Sequence, residues 1–406
     1  MLTKQKPRQS LAGFSLYRGL GKTMYVLFVI RIINRFGDFV QLLLVLILTG
    51  KLNLSPAQAG FFVSLSVAAT MLGQLLSAPL AERWGQKRPL VLFQSMVVLC
   101  YAACALVYHS HPGLIPYLIL LGSPFRGGTS PLTNTMVAEF SNKEQLSQSF
   151  SLLYLGTNVG VALGPMAASF LYTRSIVLLF SFSALLLSLS TALLVIAIPH
   201  VKGVGIHRKG EIDLGGKKLH LSPILIVFFL GFSLYSLTYG QNSFTLPLQF
   251  ASLFGELVGS RSYAVLMSIN AVTVLVATAF LTIWTHRLGQ LNSMALAMLF
   301  YVLGYGMYAL CSSFAPFLVA TCIWTVGEIL MATNANVFVN SYSPPALRSQ
   351  ANAYLTTVSS LGHALSPSYG GLLLLVLDYR QLWIINAGLC LLLGCGYIAL
   401  NKYLKK

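Results

Sequence analysis

Asp38, Arg126 and Glu328 sit deep inside long apolar runs of this chain. A charge at bilayer depth is costly unless it meets a partner or a wet cavity, so each is a candidate for work with ions. Glu328 lies in Trp324-Thr325-Val326-Gly327-Glu328-Ile329-Leu330, with no cation nearby in sequence. Such a carboxyl can carry a proton and trade it for a cationic substrate. The competing reading is a protonated acid that donates one structural hydrogen bond. Arg126 lies in Gly122-Ser123-Pro124-Phe125-Arg126-Gly127-Gly128 and can pair with Asp38, Glu328 or Glu139. Glu139 closes the same run and suits either coupling or bracing. Asp38, Arg126, Glu139 and Glu328 are therefore the expected proton-coupling set.

A helix would bring Arg31, Asn34, Arg35, Asp38 and Gln41 within an arc of about 120°. That polar face must point into a bundle, either to line a cavity or to form a salt bridge from Arg31 or Arg35 to Asp38. Arg31 and Arg35 favour an anionic group and fit a cation exporter poorly. Tyr235, Thr238, Tyr239, Asn242, Thr245 and Gln249 form a second polar and aromatic stripe, and Asn270, Thr321, Trp324, Thr325, Asn336, Asn340 and His363 add to it. Singly, such residues often only link helices, at about 0.6 kcal/mol each. As a stripe with aromatics they suit the wall of an amphipathic cavity. The expected substrate cavity thus comprises Arg31, Asn34, Arg35, Gln41, Tyr235, Tyr239, Asn242, Asn270, Trp324, Asn336 and His363. Gly156, Gly160 and Gly164, followed by Pro165, read as a close-packing and rocking element.

Positioning these groups requires a polytopic helical protein. Hydrophobic residues make up 56% of the 406, and charged ones only 9%, too few to cover a soluble surface. A spanning helix needs about 20 mainly apolar residues. The sequence predicts spans over 23–49, 58–80, 89–109, 114–138, 146–171, 175–198, 222–250, 262–285, 292–312, 315–341, 350–377 and 381–401. Most Lys and Arg of the connections fall at one end, with the termini, against Lys51, Arg174, Arg261 and Arg380 at the other. The positive-inside rule then places both termini in the cytoplasm. The net charge of +17 is explained by topology and contact with anionic membrane lipids, not by nucleic acid. No signal-peptide cleavage site is evident, so the first span is expected to be retained. All six cysteines lie in apolar runs and read as packing residues. No metal-ligand spacing, cofactor motif or phosphate-binding glycine loop is present, so an ion gradient is the expected energy source.

The two halves resemble each other. Glu82-Arg83-Trp84-Gly85-Gln86 matches His286-Arg287-Leu288-Gly289-Gln290. Gly37-Asp38 matches Gly240-Gln241, Arg126 matches Glu328, and Leu163-Gly164-Pro165 matches Leu365-Ser366-Pro367, all at offsets of 202 to 204 residues. Parallel repeats of this kind place a substrate site near the midplane between the halves. Ala78-Pro79-Leu80-Ala81-Glu82-Arg83-Trp84-Gly85-Gln86-Lys87 resembles the signature loop of the major facilitator superfamily, with Ala78, Glu82 and Gln86 as substitutions. The span-five glycines resemble that family's antiporter motif, and Arg126 and Glu328 are similar to its proton-linked arginine and carboxylate. The resemblance implies a cytoplasmic gate at Glu82, Arg83, Gly85 and Lys87.

The expectation is an all-α membrane protein with twelve transmembrane helices in two pseudo-symmetric six-helix bundles. Its parts are a cytoplasmic segment 1–22, bundles 23–198 and 222–401, a cytoplasmic linker 199–221 and a tail 402–406. It is expected to be a monomer in the inner membrane and not an enzyme. Its expected function is proton-coupled efflux of lipophilic or cationic small molecules by alternating access. The alternative is a defined anionic solute or lipid bound by Arg31 and Arg35.

Overall fold

The computed structural model describes residues 17, 19–142, 145–199, 222–285, 288–344 and 347–405. Most of the expected linker 199–221, the N-terminal segment and the His286-Arg287 counterpart of the signature loop fall outside them.

The described residues are almost entirely helical. The first span is α1 (Lys22–Phe36), α2 (Phe39–Leu42), α3 (Leu44–Leu46) and a π-turn (Ile47–Lys51). Then come α4 (Pro56–Trp84), α5 (Lys87–Val107), α6 (Ile115–Phe140), α7 (Leu146–Arg174) and α8 (Ile176–Ala197). The second half holds α9 (Pro223–Tyr239), α10 (Gln241–Thr285), α11 (Gln290–Leu310), α12 (Phe314–Ser341), α13 (Arg348–Leu373) and α14 (Tyr379–Leu404).

Nine segments among the described residues are long and apolar enough to cross a membrane. One of them, Pro223–Thr278, is 56 residues long and turns at Gly255, so it supplies two crossings. The polar content of α6 and α13 keeps them out of that group, yet each matches a spanning helix in length. Twelve crossings result.

Local sequence explains where the helices begin and stop. Ser55 caps α4 and forms a reciprocal capping box with Gln58, and Pro56 occupies the first turn, where its missing N–H costs nothing. Asp378 and Gln381 make the same box at α14. Ser175 and Ser222 cap α8 and α9 through single side-chain acceptors.

The repeat is visible in the backbone. Gly85 ends α4 at φ 74°, ψ 165°, and Gly289 precedes α11 at φ 75°, ψ 160°. This left-handed region excludes most side chains, so the Gly of the signature loop has a conformational reason. Asn53 (φ 56°) and Gly255 (φ 77°) form a second such pair between the first two spans of each half. The first helix of each half breaks at equivalent places, after Phe36 and after Tyr239. The expected continuous helix over 23–49 is therefore interrupted at Gly37-Asp38 and again at Leu43.

In the first half α1 packs on α7 and α8, α5 on α6 and α8, and α4 on α6. In the second, α11 packs on α12 and α14, α9 on α13, and α10 on α12. Between halves, α4 meets α13, and α7 meets α10. Glycines set the tightest crossings. A Cβ on Gly73 would overlap the Pro124 carbonyl, and one on Gly127 would overlap the Thr70 carbonyl. Both obstacles are backbone, which cannot swing aside as a side chain can. Gly73→Ala should therefore cost at least the ~3 kcal/mol at the upper end of ordinary overpacking. Thermal unfolding in detergent would register it as a lower midpoint, together with reduced yield. The span-five glycines lie against the first span: Gly156 on Phe28, and Gly160 on Arg35 and Phe36.

Several polar ties between halves lie toward the end opposite the termini, and Ser268 Oγ donates to the Ala162 carbonyl at 3.1 Å nearer mid-span. Lys51 Nζ lies 2.7 Å from Glu256 Oε1. Tyr172 donates to Glu256 Oε1 at 2.5 Å and to the Leu46 carbonyl at 3.0 Å. Ser368 Oγ and Ser64 Oγ are 2.8 Å apart, linking α13 to α4.

Candidate functional site

The break after Phe36 turns Asp38 toward α6. Arg126 donates to it twice, Nε to Oδ1 at 3.0 Å and a terminal nitrogen to Oδ2 at 2.6 Å. A two-pronged guanidinium–carboxylate pair is strong and directional. Both side chains keep roughly a quarter of their surface accessible, 27% for Arg126 and 23% for Asp38. They line a cavity of about 190 Å³ within the first half. Of Arg126's three candidate partners, Asp38 is the one the structure supplies. Glu139, half-buried at the end of α6, has no ion pair among the described residues.

Arg31 and Arg35 do not pair with Asp38. Arg31 instead donates to Ser130 Oγ at 3.3 Å and Asn134 Oδ1 at 2.6 Å. Arg35 has neither a hydrogen bond nor an ion pair among the described residues. Arg31, Asn34 and Arg35 line the first-half cavity. Arg35, Asp38, Gln41 and His363 line a second cavity, of about 360 Å³, which lies between the halves.

Glu328 occupies the position equivalent to Arg126, yet its surroundings differ. Tyr239 donates its hydroxyl to Oε1 at 2.7 Å, and Asn270 donates Nδ2 to Oε2 at 2.8 Å. Asn270 also donates to Thr325 Oγ1 at 2.9 Å. No cation pairs with Glu328 among the described residues, and its side chain is half-buried. The Tyr239 ring packs edge-on against His363 at 5.6 Å. His363 Nδ1 lies 2.9 Å from the Ser359 carbonyl and so donates to it. Glu328 lines neither cavity itself. It is connected to the inter-half cavity through Tyr239 and His363.

Part of the expected substrate wall lies elsewhere. Tyr235 (7% exposed), Asn242 (3%) and Trp324 (1%) are packed inside the second half. Tyr235 meets the Tyr301 hydroxyl, Asn242 donates to Tyr305, and Trp324 donates to Tyr308. These tyrosines come from α11, so Tyr235 and Asn242 of the stripe on α9 and α10 face another helix instead of water, whereas Tyr239 meets Glu328. Asn336 is exposed on α12 and lines neither cavity. At the signature loop, Lys87 Nζ donates to the carbonyls of Val195 and Ile198 at 2.9 and 2.5 Å, capping the last turn of α8 within the same half. Glu82 and Arg83 are exposed.

The structure also adds wall residues that the sequence reading passed over. Gln74 and Gln94 are amides inside the apolar helices α4 and α5, and both line the first-half cavity. Ser130 and Thr133 follow Arg126 at i+4 and i+7, a helical stripe legible in the sequence.

The Major Facilitator Superfamily profile matches residues 27–367 and 236–403. A Na(+), Li(+), K(+)/H(+) antiporter of Planococcus maritimus is 20% identical over 76% of this chain and 80% of its own. Multidrug resistance protein 2 of Bacillus subtilis is 20% identical over 85% of this chain and 86% of its own. The crystal structure of the nucleoside transporter NupG superposes with a TM-score of 0.80 at 16% identity, covering 94% of this chain and 100% of that one. Profile, relatives and fold agree, and the chain belongs to the Major Facilitator Superfamily of membrane transporters.

Proposed function

We propose that this transporter moves lipophilic small molecules across the cell membrane in exchange for protons, by alternating access. The observation that carries the coupling is Glu328, an acid between two hydrogen-bond donors with no cation beside it among the described residues. Both of its charge states can be satisfied in place. Ionised, it accepts from Tyr239 and Asn270. Protonated, it can donate to the Tyr239 oxygen while still accepting from Asn270. A group satisfied in both states can gain and lose a proton without unpacking its neighbours.

The halves, 23–198 and 222–401, rock about the cavity between them, with both termini cytoplasmic. The Lys51–Glu256–Tyr172 contacts and the Ser64–Ser368 pair hold the outer end together in this state. A relative named as a Na(+), Li(+), K(+)/H(+) antiporter supports proton exchange, and another named for multidrug resistance supports a small-molecule drug-like cargo. Asp38, already held by Arg126, is not free to receive a cation. That favours the second reading, an anionic substrate, over a cationic one.

Purified protein in sealed vesicles tests the coupling. An imposed pH step should drive uptake of a lipophilic probe, and a probe gradient should in turn move protons. Probe flux indifferent to the pH step would overturn the proposal.

A further inference from the structure

We infer that the transported molecule is an amphipathic organic anion, its carboxylate or sulfonate head held beside Arg31 and Arg35 and its apolar body in the inter-half cavity. The inference rests on the transport reading above and narrows its substrate class.

Charge balance comes first. Three guanidinium groups, those of Arg31, Arg35 and Arg126, line the first-half cavity, and Asp38 is the one acid among its lining residues. That acid is taken by Arg126 through both its oxygens. Arg31 and Arg35 remain, one helical turn apart, where like charges repel. Arg31 is only 9% exposed and its partners, Ser130 and Asn134, are neutral. Buried positive charge without a counter-ion is strongly unfavourable. A bound anion removes that cost.

Hydrogen-bonding capacity agrees. Arg31 Nε is buried and has no partner among the described residues. Gln94, 1% exposed, accepts from Thr191 and leaves Nε2 unpaired among the described residues. The Asn34 Oδ1 acceptor is likewise unpaired, but the Arg35 guanidinium adds further free donors. A net positive cavity with a guanidinium at Arg35 unpaired among the described residues suits a ligand head that only accepts.

Geometry supplies the amphipathic part. Arg35 and Asp38 line both cavities, so the two spaces adjoin. The larger one is walled mainly by apolar side chains, among them Phe36, Phe39, Val45, Val63 and Phe244. A head at Arg35 leaves its body against that wall.

Equilibrium binding of radiolabelled naphthoate to the purified protein tests this without any gradient. Unlabelled naphthoate should displace the label, whereas tetraphenylphosphonium, a cation of lipophilic character, and inorganic sulfate, a head without a body, should not. Arg35→Gln should weaken naphthoate binding about tenfold or more, the scale of one charge-assisted contact, and Arg35→Lys should recover part of it. Displacement by tetraphenylphosphonium in the wild-type protein, or unchanged binding in Arg35→Gln, would overturn the inference. Naphthoate that binds but is not moved by a pH step would instead overturn the coupling reading and leave this one standing. Proton-driven movement of tetraphenylphosphonium by the wild-type protein would do the reverse.

Discussion

Glu328→Gln should reduce proton-driven transport to the level of protein-free vesicles while leaving yield and thermal stability near those of the parent protein. Glutamine has nearly the same shape as glutamic acid, and the pocket can accommodate it. Its carbonyl can accept from Asn270 in place of Oε2, and its amide can donate to Tyr239, whose hydroxyl both donates and accepts. What the amide cannot do is take up or release a proton. Facilitated exchange of probe across the membrane without a gradient should therefore survive, because it needs the cavity and the rocking but not the titration. The informative measurement pairs the two assays on one preparation. Loss of both would mark a damaged site, and retention of both would remove Glu328 from the coupling step. Tyr239→Phe should give a weaker version of the same result. It deletes one donor to the carboxylate while leaving the ring contact with His363 in place.

The fold was largely legible because membrane solvation simplifies the code: a run of apolar residues long enough to span has few alternatives to a helix. The repeat could be read because sparse landmarks such as Gly85, Gly289, Pro165 and Pro367 stand out on an apolar background. The break at Gly37-Asp38 was less legible. Periodicity assumes 100° per residue throughout, and it placed Asp38 on the Arg31 face correctly enough while giving no hint that the chain turns there. Part of the aromatic stripe on α9 and α10, Tyr235 and Asn242, lies away from the cavities for a related reason. Amphipathic periodicity says that a face is not lipid-exposed, but it does not say whether water or another helix covers it. Tyr301, Tyr305 and Tyr308 on α11 cover this one, and their own spacing along α11 was the signal that a polar aromatic core would form. Pairing was the least legible of all. Arg126 had several acids within reach in principle, and only tertiary packing could choose Asp38.

That choice has an asymmetric consequence. Asp38→Asn should destabilise the protein more than Arg126→Gln, and the double variant should lie above Asp38→Asn. The asparagine presents one acceptor and one N–H₂ group to a guanidinium that needs two acceptors, so donor meets donor. Arg126 cannot shed its charge, and it then joins Arg31 and Arg35 as a third uncompensated cation around one cavity. Removing one partner of a buried pair costs ~3–5 kcal/mol, and the partial exposure of this pair argues for the lower end. Arg126→Gln leaves a carboxylate that has two remedies: it can take up a proton, and Arg35 lines the same two cavities as Asp38. With both changes made, an amide faces an amide and no further charge is stranded. Thermal unfolding of the three variants in the same detergent gives the order directly. Equal destabilisation by the two single changes would mean that the cavity is wet enough to screen a stranded guanidinium, and the case for an anionic substrate beside Arg31 and Arg35 would weaken with it.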